Sequence, residues 1–535
     1  MKKRLVRFAV IAASGAVTAL TLQIDLLYPL SYVSVAPFFF LLLTFTDEKM
    51  SYGKLYAYGL LWSMSYCLTV YSFFLAMYPL EFMEIGKVAA FFTVIFCQFG
   101  LSLLQSVPNA AIAPLFRLTC RHRPLSPLLF ACLYIIFEWL QNFTWAGVPF
   151  LRLAISQTSF IPAMQSASVL GSLFLSFIPA FTGACIGLAL FYCRKYGRDS
   201  FAVRLYPIIA IALIGANIGF GLIRMGTYTE KDQTEVRVAL IQANIGSDDK
   251  WSDTTENRFA EIVNRHLALA GQAIDESGAS MVVFAETAIN FDFLSWDDTD
   301  IKDRFCDFAV SRGVTLFVGT FTQDADENSF NSIVAFYSDG SIEENPYSKR
   351  RLVPFGEFMP MESLLTKVLP FLSDMNLFSD PITPGKGSCI TEANGGKIGR
   401  LICFDSIYDG LTRQSVADGA QMLILSTNDS WYLDSPAVYI HNDHAKLRAV
   451  ESGRYMLRAA NTGVSSIIDP LGRTESELGP LKEGYVTGTA VFRSERTLFS
   501  YTGNIIISLA FIFVFYEAAS EFIRIRRGKK SEKQD

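Results

Sequence analysis

The sequence predicts a polytopic α-helical membrane domain of about eight spans, joined to an α/β domain that lies outside the bilayer. Three observations carry this. Only 18% of the 535 residues are charged, while 51% are hydrophobic; a soluble globular chain is nearer one quarter charged. Long apolar runs fill residues 1–224 and recur near 498–519. Between them, 225–497 holds short apolar runs separated by helical patterns, which is the alternation of an α/β fold.

The runs at about 8–24, 27–45, 57–78, 88–106, 125–141, 166–193, 205–224 and 498–519 are read as spans, since crossing a bilayer takes roughly 20 apolar residues. The run at 125–141 is short and carries Glu138. A carboxylate there is costly unless it is paired, protonated or near water. A hydrogen-bonded helix-end anchor, with Arg152 as a partner, and a contact to a lipid head group are both open. The basic start, Lys2-Lys3-Arg4, runs into an apolar stretch that another span follows at once; it is read as a span rather than a signal peptide.

Lys and Arg of short loops set orientation. Lys49 and Lys54, Arg117, Arg121 and Arg123, and Arg194, Lys195, Arg198 and Arg204 lie in alternate loops, with Lys2, Lys3, Arg4 and Arg7 before the first span and Arg524, Arg526, Arg527, Lys529, Lys530 and Lys533 after the last. The other short loops hold Lys87 and Arg152. Both termini are therefore expected in the cytoplasm. The expected division is a membrane domain at 1–224, an extracytoplasmic domain at 225–497, and a final span with a basic tail at 498–535. A net charge of −5 excludes a generally basic nucleic-acid binder. Four His and no CxxC pair argue against a structural zinc site; no metal and no cofactor are expected.

Within 225–497, strands are expected at Val236–Gln242, Ser280–Phe284, Thr315–Gly319, Ser332–Tyr337, Ile398–Phe404, Gln421–Ser426, Met456–Ala460, Val464–Asp469 and Tyr485–Val491. Helices are expected at about 254–275, 300–312, 407–419 and 441–453. Reactive side chains stand at the strand ends. Phe284-Ala285-Glu286 ends one strand on a carboxylate, and Leu401-Ile402-Cys403-Phe404-Asp405 ends another on a thiol. Lys349 opens a loop that reaches Glu357 eight residues later. Each alone is more often a buried thiol, a solvated cap or a soluble loop. Together they can work: a carboxylate takes the thiol proton, a thiolate attacks a carbonyl, and an ammonium stabilises the oxyanion. Cys306, in an expected helix, and Cys389, in a polar stretch, suit structural roles.

The order Glu286, Lys349, Cys403 resembles the carbon–nitrogen hydrolase (nitrilase) superfamily. Ile241-Gln242-Ala243-Asn244, Val318-Gly319-Thr320, Asn331-Ser332 and Asn428-Asp429-Ser430-Trp431 add to the likeness. With seven spans before this domain and one after it, the whole chain is similar to the apolipoprotein N-acyltransferases. Glu138-Trp139-Leu140, Gly147-Val148-Pro149-Phe150-Leu151, Leu352-Val353-Pro354-Phe355-Gly356-Glu357 and Leu457-Arg458-Ala459-Ala460-Asn461-Thr462-Gly463 carry that resemblance.

The resemblance implies a nitrilase-like αββα sandwich, and Cys403, Glu286 and Lys349 as nucleophile, general base and oxyanion stabiliser. Glu357 would support the triad, and Trp251 would lie near it. Family members commonly follow the nucleophile with Tyr-Glu; Phe404-Asp405 departs from this, losing a hydroxyl and shortening the acidic arm. The implied reaction moves an acyl chain from a membrane phospholipid, through a thioester on Cys403, to the α-amino group of a diacylglyceryl-cysteine on a bacterial apolipoprotein. The implied location is the bacterial cytoplasmic (inner) membrane. A membrane base suits two lipid-anchored substrates, because each buried methylene resists extraction by about 0.8 kcal/mol. The apolar stretch 358–378, with Leu369, Phe371, Met375 and Leu377, is read either as a buried helix or as a lipid-admitting lid. The alternative activity is that of a membrane-tethered nitrilase-type amidase acting on a small amide.

Overall fold

Two interleaved sets of residues make up the chain. One unit comprises 1–75, 91–228 and 502–535, the other 76–90 and 229–501. The structure is a computed structural model and describes residues 2–80, 85–143, 147–230, 234–246, 256–291, 300–354, 356–363, 367, 382–387 and 389–531. Trp251 and Phe355, like most of the apolar stretch 358–378, lie outside the described residues.

Among the described residues, eight helical segments are long and apolar enough to cross a membrane: Lys2–Gln23, Asp25–Asp47, Tyr52–Met77, Lys87–Thr119, Arg123–Leu140, Ser172–Tyr196, Phe201–Thr227 and Ile505–Arg527. Their number is the one expected; their ends differ where the backbone breaks. Gly171, at φ +77°, separates a short helical turn from the sixth span. Gly503, at φ +58°, ends a short helix at Leu498–Thr502, so the last span starts at Ile505 rather than near 498. Aromatic contacts fill the core: Phe39 meets Phe116 and Phe130 edge-on at 5.4 and 5.1 Å, and Trp62 stacks on Phe38 and Tyr66. Glu138 is buried, and its Oε1 accepts the Leu153 N–H at 2.8 Å. Arg152 donates to Asn142 Oδ1 and Ser172 Oγ. Glu138 is thus hydrogen-bonded near its helix end, while these Arg152 donors go to Asn142 and Ser172.

In the second unit, the described residues form twelve strands in two six-stranded sheets. They are β1 Glu235–Gln242, β2 Met281–Val283, β3 Thr315–Gln323, β4 Ser329–Phe336, β5 Tyr347–Ser348, β6 Ile390–Ala393, β7 Gly396–Ile402, β8 Met422–Thr427, β9 Met456–Ala460, β10 Ser465–Ile468, β11 Thr474–Leu478 and β12 Gly484–Val491. The orders are β12-β1-β2-β3-β4-β5 and β11-β10-β9-β8-β7-β6. In each sheet three parallel strands (β1–β3 and β7–β9) are flanked by antiparallel ones.

Alternation along the strands explains the layers. Val236, Val238, Leu240, Met281 and Val283 of one sheet meet Ile398, Ile402, Met422, Ile424 and Leu457 of the other in one core. The intervening residues Ala239, Ile241, Val282, Leu316 and Val318 pack under the helices Glu256–Ser277 and Ile301–Arg312. Leu401, Leu423, Leu425 and Met456 pack under Pro436–Ser452. Both faces of the sheets are thus apolar, so the strands read as continuous apolar runs. The result is an αββα sandwich. Ser426 Oγ crosses between the sheets to the Phe284 carbonyl at 2.8 Å.

Candidate active site

The parallel strands of both sheets end on the same rim, where functional side chains of open α/β sheets gather. Glu286 follows β2 on a tight turn, with Thr287 at φ +46°. The turn lies against Gly319 of β3, where a Cβ would stand 2.2 Å from the Ala285 carbonyl oxygen and 2.9 Å from Glu286 Cα. Glycine is required there by that approach. Lys349 follows β5, and its N–H donates to the Asn331 carbonyl at 2.8 Å. Cys403 follows β7, at φ +46°, and opens a single 3-10 turn, Cys403–Ile407.

Lys349 is the centre of the polar cluster. Its Nζ donates to Glu286 Oε1 and Glu357 Oε1, both at 2.8 Å. Its side chain is 2% exposed and that of Glu286 is 6%. Asn331 Nδ2 donates to the same two oxygens at 2.8 and 3.1 Å. The other oxygens are also met: the Asn428 N–H donates to Glu286 Oε2 at 2.9 Å, and the Val353 N–H to Glu357 Oε2 at 2.8 Å. Burial works against the ammonium charge, yet the two carboxylates outweigh it and hold Lys349 well above the ordinary lysine range. Burial first, and then the charge of Glu286, push the Cys403 thiol far up, against Lys349 and a hydrogen bond with Thr427. Cys403 is thus held toward its thiol form.

Asp405 ties the lysine segment to the turn that Cys403 opens. Its Oδ2 accepts the Tyr347 hydroxyl at 2.8 Å and the Ile402 N–H at 3.1 Å, and its Oδ1 accepts the Arg351 N–H at 2.8 Å. Burial pushes its carboxyl up to about 6, with Tyr347 and Lys349 opposing. Three donors at this short reach explain how aspartate fits there. The Phe404 ring packs edge-on against Tyr408 at 5.6 Å. Its backbone N–H has no hydrogen-bond partner among the described residues.

Of the expected residues, Glu286, Lys349 and Glu357 are in direct contact, and Cys403 interacts with the first two electrostatically. Phe404 and Asp405 lie beside them in the turn Cys403–Ile407, and Trp251 lies outside the described residues. Sequence reasoning passed over the roles of Asn331, the Asn428 N–H and a buried trio behind Cys403: Asp429, His441 and Arg458. Cys403, Asp429 and His441 offer ligating atoms within 4.8 Å of one another. Asp429, however, already engages His441 at 2.8 Å and the Arg458 cation at 2.6 Å; a resident guanidinium disfavours a metal ion at that spot.

An αββα sandwich with a buried carboxylate–ammonium pair and a cysteine on one rim is the arrangement of a carbon–nitrogen hydrolase domain. Residues 237–496 match that family, and residues 14–185 match the apolipoprotein N-acyltransferase N-terminal domain. The apolipoprotein N-acyltransferase of Rickettsia bellii is 28% identical over 438 residues, covering 78% of this chain and 81% of its own. That of Allorhizobium ampelinum is 32% identical over 370 residues, covering 67% and 66%. The solved structure of Saccharomyces cerevisiae Nit3, a member of branch 10 of the nitrilase superfamily, aligns with a TM-score of 0.38 at 18% identity, covering 49% of this chain and 93% of that one. The chain belongs to the apolipoprotein N-acyltransferase family, within the nitrilase superfamily.

Proposed function

We propose that Cys403 carries an acyl chain from a membrane phospholipid to the α-amino group of a diacylglyceryl-cysteine at the start of a bacterial apolipoprotein. The observation that carries this reading is the buried Lys349 ammonium between Glu286 and Glu357, at the rim that bears Cys403, in a chain with eight candidate spans. In the first half-reaction Glu286 takes the thiol proton as Sγ attacks the ester carbonyl carbon. Lys349 and the Phe404 N–H meet the oxyanion. The carbon–oxygen bond breaks, and the lysophospholipid leaves with the proton from Glu286. In the second, the neutral amine attacks the thioester, Glu286 takes its proton, and as the carbon–sulfur bond breaks Glu286 passes that proton to the leaving Sγ, restoring the thiol. Splitting one transfer into two is the ping-pong pattern. Glu357 holds the lysine, and Asp405 fixes the two segments together. The domain that carries Cys403 works on the extracytoplasmic side of the inner membrane, as the loop charges suggest.

Mass spectrometry of the full-length protein in phospholipid vesicles tests this. An acyl adduct is expected on Cys403, absent from Cys403→Ala. A diacylglyceryl peptide with a free terminal amine should discharge it to an amide, and an acetylated peptide should not. Rapid release of free fatty acid without an acceptor would make the tethered hydrolase the better account.

A further inference from the structure

Behind the nucleophile lies a charged network that the transfer scheme above does not use. Asp429 follows β8, His441 stands on the helix Pro436–Ser452, and Arg458 belongs to β9. All three are buried, at 2%, 6% and 0% exposure. Asp429 Oδ1 lies 2.8 Å from His441 Nδ1, and Arg458 Nη2 donates to Asp429 Oδ2 at 2.6 Å. Gly463 makes room for this carboxylate, since a Cβ there would stand 2.3 Å from Asp429 Oδ2. His441 and Arg458 hold the Asp429 carboxyl well below its usual range although burial opposes its charge.

The far side of the imidazole faces the nucleophile's backbone. His441 Nε2 is 3.2 Å from the Cys403 carbonyl oxygen and 3.1 Å from Ser406 Oγ. Ser406 directs its own hydrogen at that carbonyl, at 2.8 Å. The carbonyl oxygen can only accept, so a hydrogen on Nε2 makes this contact a hydrogen bond to the Cys403 carbonyl. The Cys403 carbonyl and the Phe404 N–H belong to one planar peptide and point in opposite directions. Holding the oxygen on the His441 side therefore aims the N–H away from it. Cys403 sits at φ +46°, a strained conformation for a residue with a Cβ, which persists only where its surroundings hold it.

We propose that His441, held by Asp429 and Arg458, is a positioning residue for acyl transfer: it fixes the Cys403–Phe404 peptide so that the Phe404 N–H meets the developing oxyanion. This rests on the assignment of Cys403 as the acyl acceptor. The role separates two reactions of one thiol. Acylation builds charge on a carbonyl oxygen and needs the aimed N–H. Alkylation by iodoacetamide displaces iodide at a saturated carbon and does not.

The test uses the full-length protein in detergent, with p-nitrophenyl butyrate as acyl donor and iodoacetamide as alkylating agent. In His441→Ala, acylation should fall about 10- to 100-fold through kcat, short of the roughly 100- to 1,000-fold lost when an oxyanion donor is removed outright. Alkylation of Cys403 should stay within about twofold of wild type. His441→Gln, whose amide can still donate, should recover most of the acylation rate. If His441→Ala does not fold, Ser406→Ala removes the other donor to the same carbonyl and should show the same split on a smaller scale. A parallel fall in both reactions, unchanged acylation, or a His441→Gln no better than His441→Ala would overturn the proposal. Wild-type protein that reacts with the ester but is never loaded by phospholipid vesicles would instead sink the transferase reading and leave this one standing.

Discussion

Replacing Glu286 with glutamine keeps the size of the side chain and removes one charge and one acceptor. Glu286 acts only as an acceptor here: Oε1 receives Lys349 Nζ and Asn331 Nδ2, both at 2.8 Å, and Oε2 receives the Asn428 N–H at 2.9 Å. A glutamine keeps the first pair only by turning its NH2 group toward the Asn428 N–H. One buried backbone donor is then orphaned, at about 1–3 kcal/mol of stability. The kinetic cost is larger. A positioned general base is worth about 100- to 10,000-fold, or roughly 2.7–5.4 kcal/mol of barrier. The pH profile is the sharper signature. The Cys403 thiol is held far above its usual range by burial and then by Glu286. Removing that carboxylate relieves part of the shift but leaves the burial. Without an internal base, loading must draw on thiolate formed by bulk hydroxide, a fraction that rises tenfold per pH unit below the thiol pKa. The loading rate of Glu286→Gln should therefore climb with a slope near one between about pH 6 and 9 while wild type stays flat. Quenched-flow mass spectrometry of the Cys403 adduct, with thermal unfolding alongside, measures both terms. A Glu286→Gln loading rate within tenfold of wild type at pH 7, or a flat profile, would refute the general-base assignment.

Phe404→Tyr should load and unfold like wild type, because the ring packs edge-on against Tyr408 and nothing there depends on the missing hydroxyl; Phe404→Ala should slow loading. Asp405→Glu should be worse than wild type, by about 1–3 kcal/mol in unfolding, since an added methylene must fit a carboxylate already bound by three donors. Asp405 also gives a pH signature. Its carboxyl is pushed up to about 6 in the fold against about 3.9 when unfolded, so the folded state binds the proton more tightly. Stability falls as pH rises from about 4 to about 6 and is level above, by roughly 3 kcal/mol; denaturant midpoints of Asp405→Asn should lose that slope. For topology, a reporter active only in the cytoplasm should be silent when fused near Gly340 and active after Lys530, and the reverse pattern would sink the extracytoplasmic assignment.

Much of this architecture is written in local patterns. Spans are legible because a bilayer demands long apolar runs, and the parallel strands because both of their faces are buried. Glu286, Lys349 and Cys403 are legible as reactive types at strand ends. Less visible are the short or edge strands β5, β6 and β11. β11, Thr474–Leu478, alternates between half-buried and exposed positions and carries no apolar stripe. The helix at Pro436–Ser452 starts five residues before the apolar pattern predicts, on a proline at its first turn, a position where a missing N–H costs nothing. Partnerships across the fold are hidden altogether. Asn331 meets Glu286 across 45 residues of sequence, and Tyr347 meets Asp405 across 58; no periodicity encodes such pairs. His441 stands in a helix of weak amphipathicity and gives no sign in the sequence of facing the Cys403 carbonyl.

The two sheets hold different halves of the chemistry. Glu286 and Lys349 come from the first, Cys403 from the second, and the sheets meet through one shared core and through crossings such as Ser426 to Phe284. Neither half is an enzyme by itself. A chain that has inserted its spans but not yet closed this seam carries a thiol with no base and a base with no thiol. The three side chains come together only where the two sheets dock, so whatever loosens that seam separates the thiol from the carboxylate–ammonium pair without touching any of them.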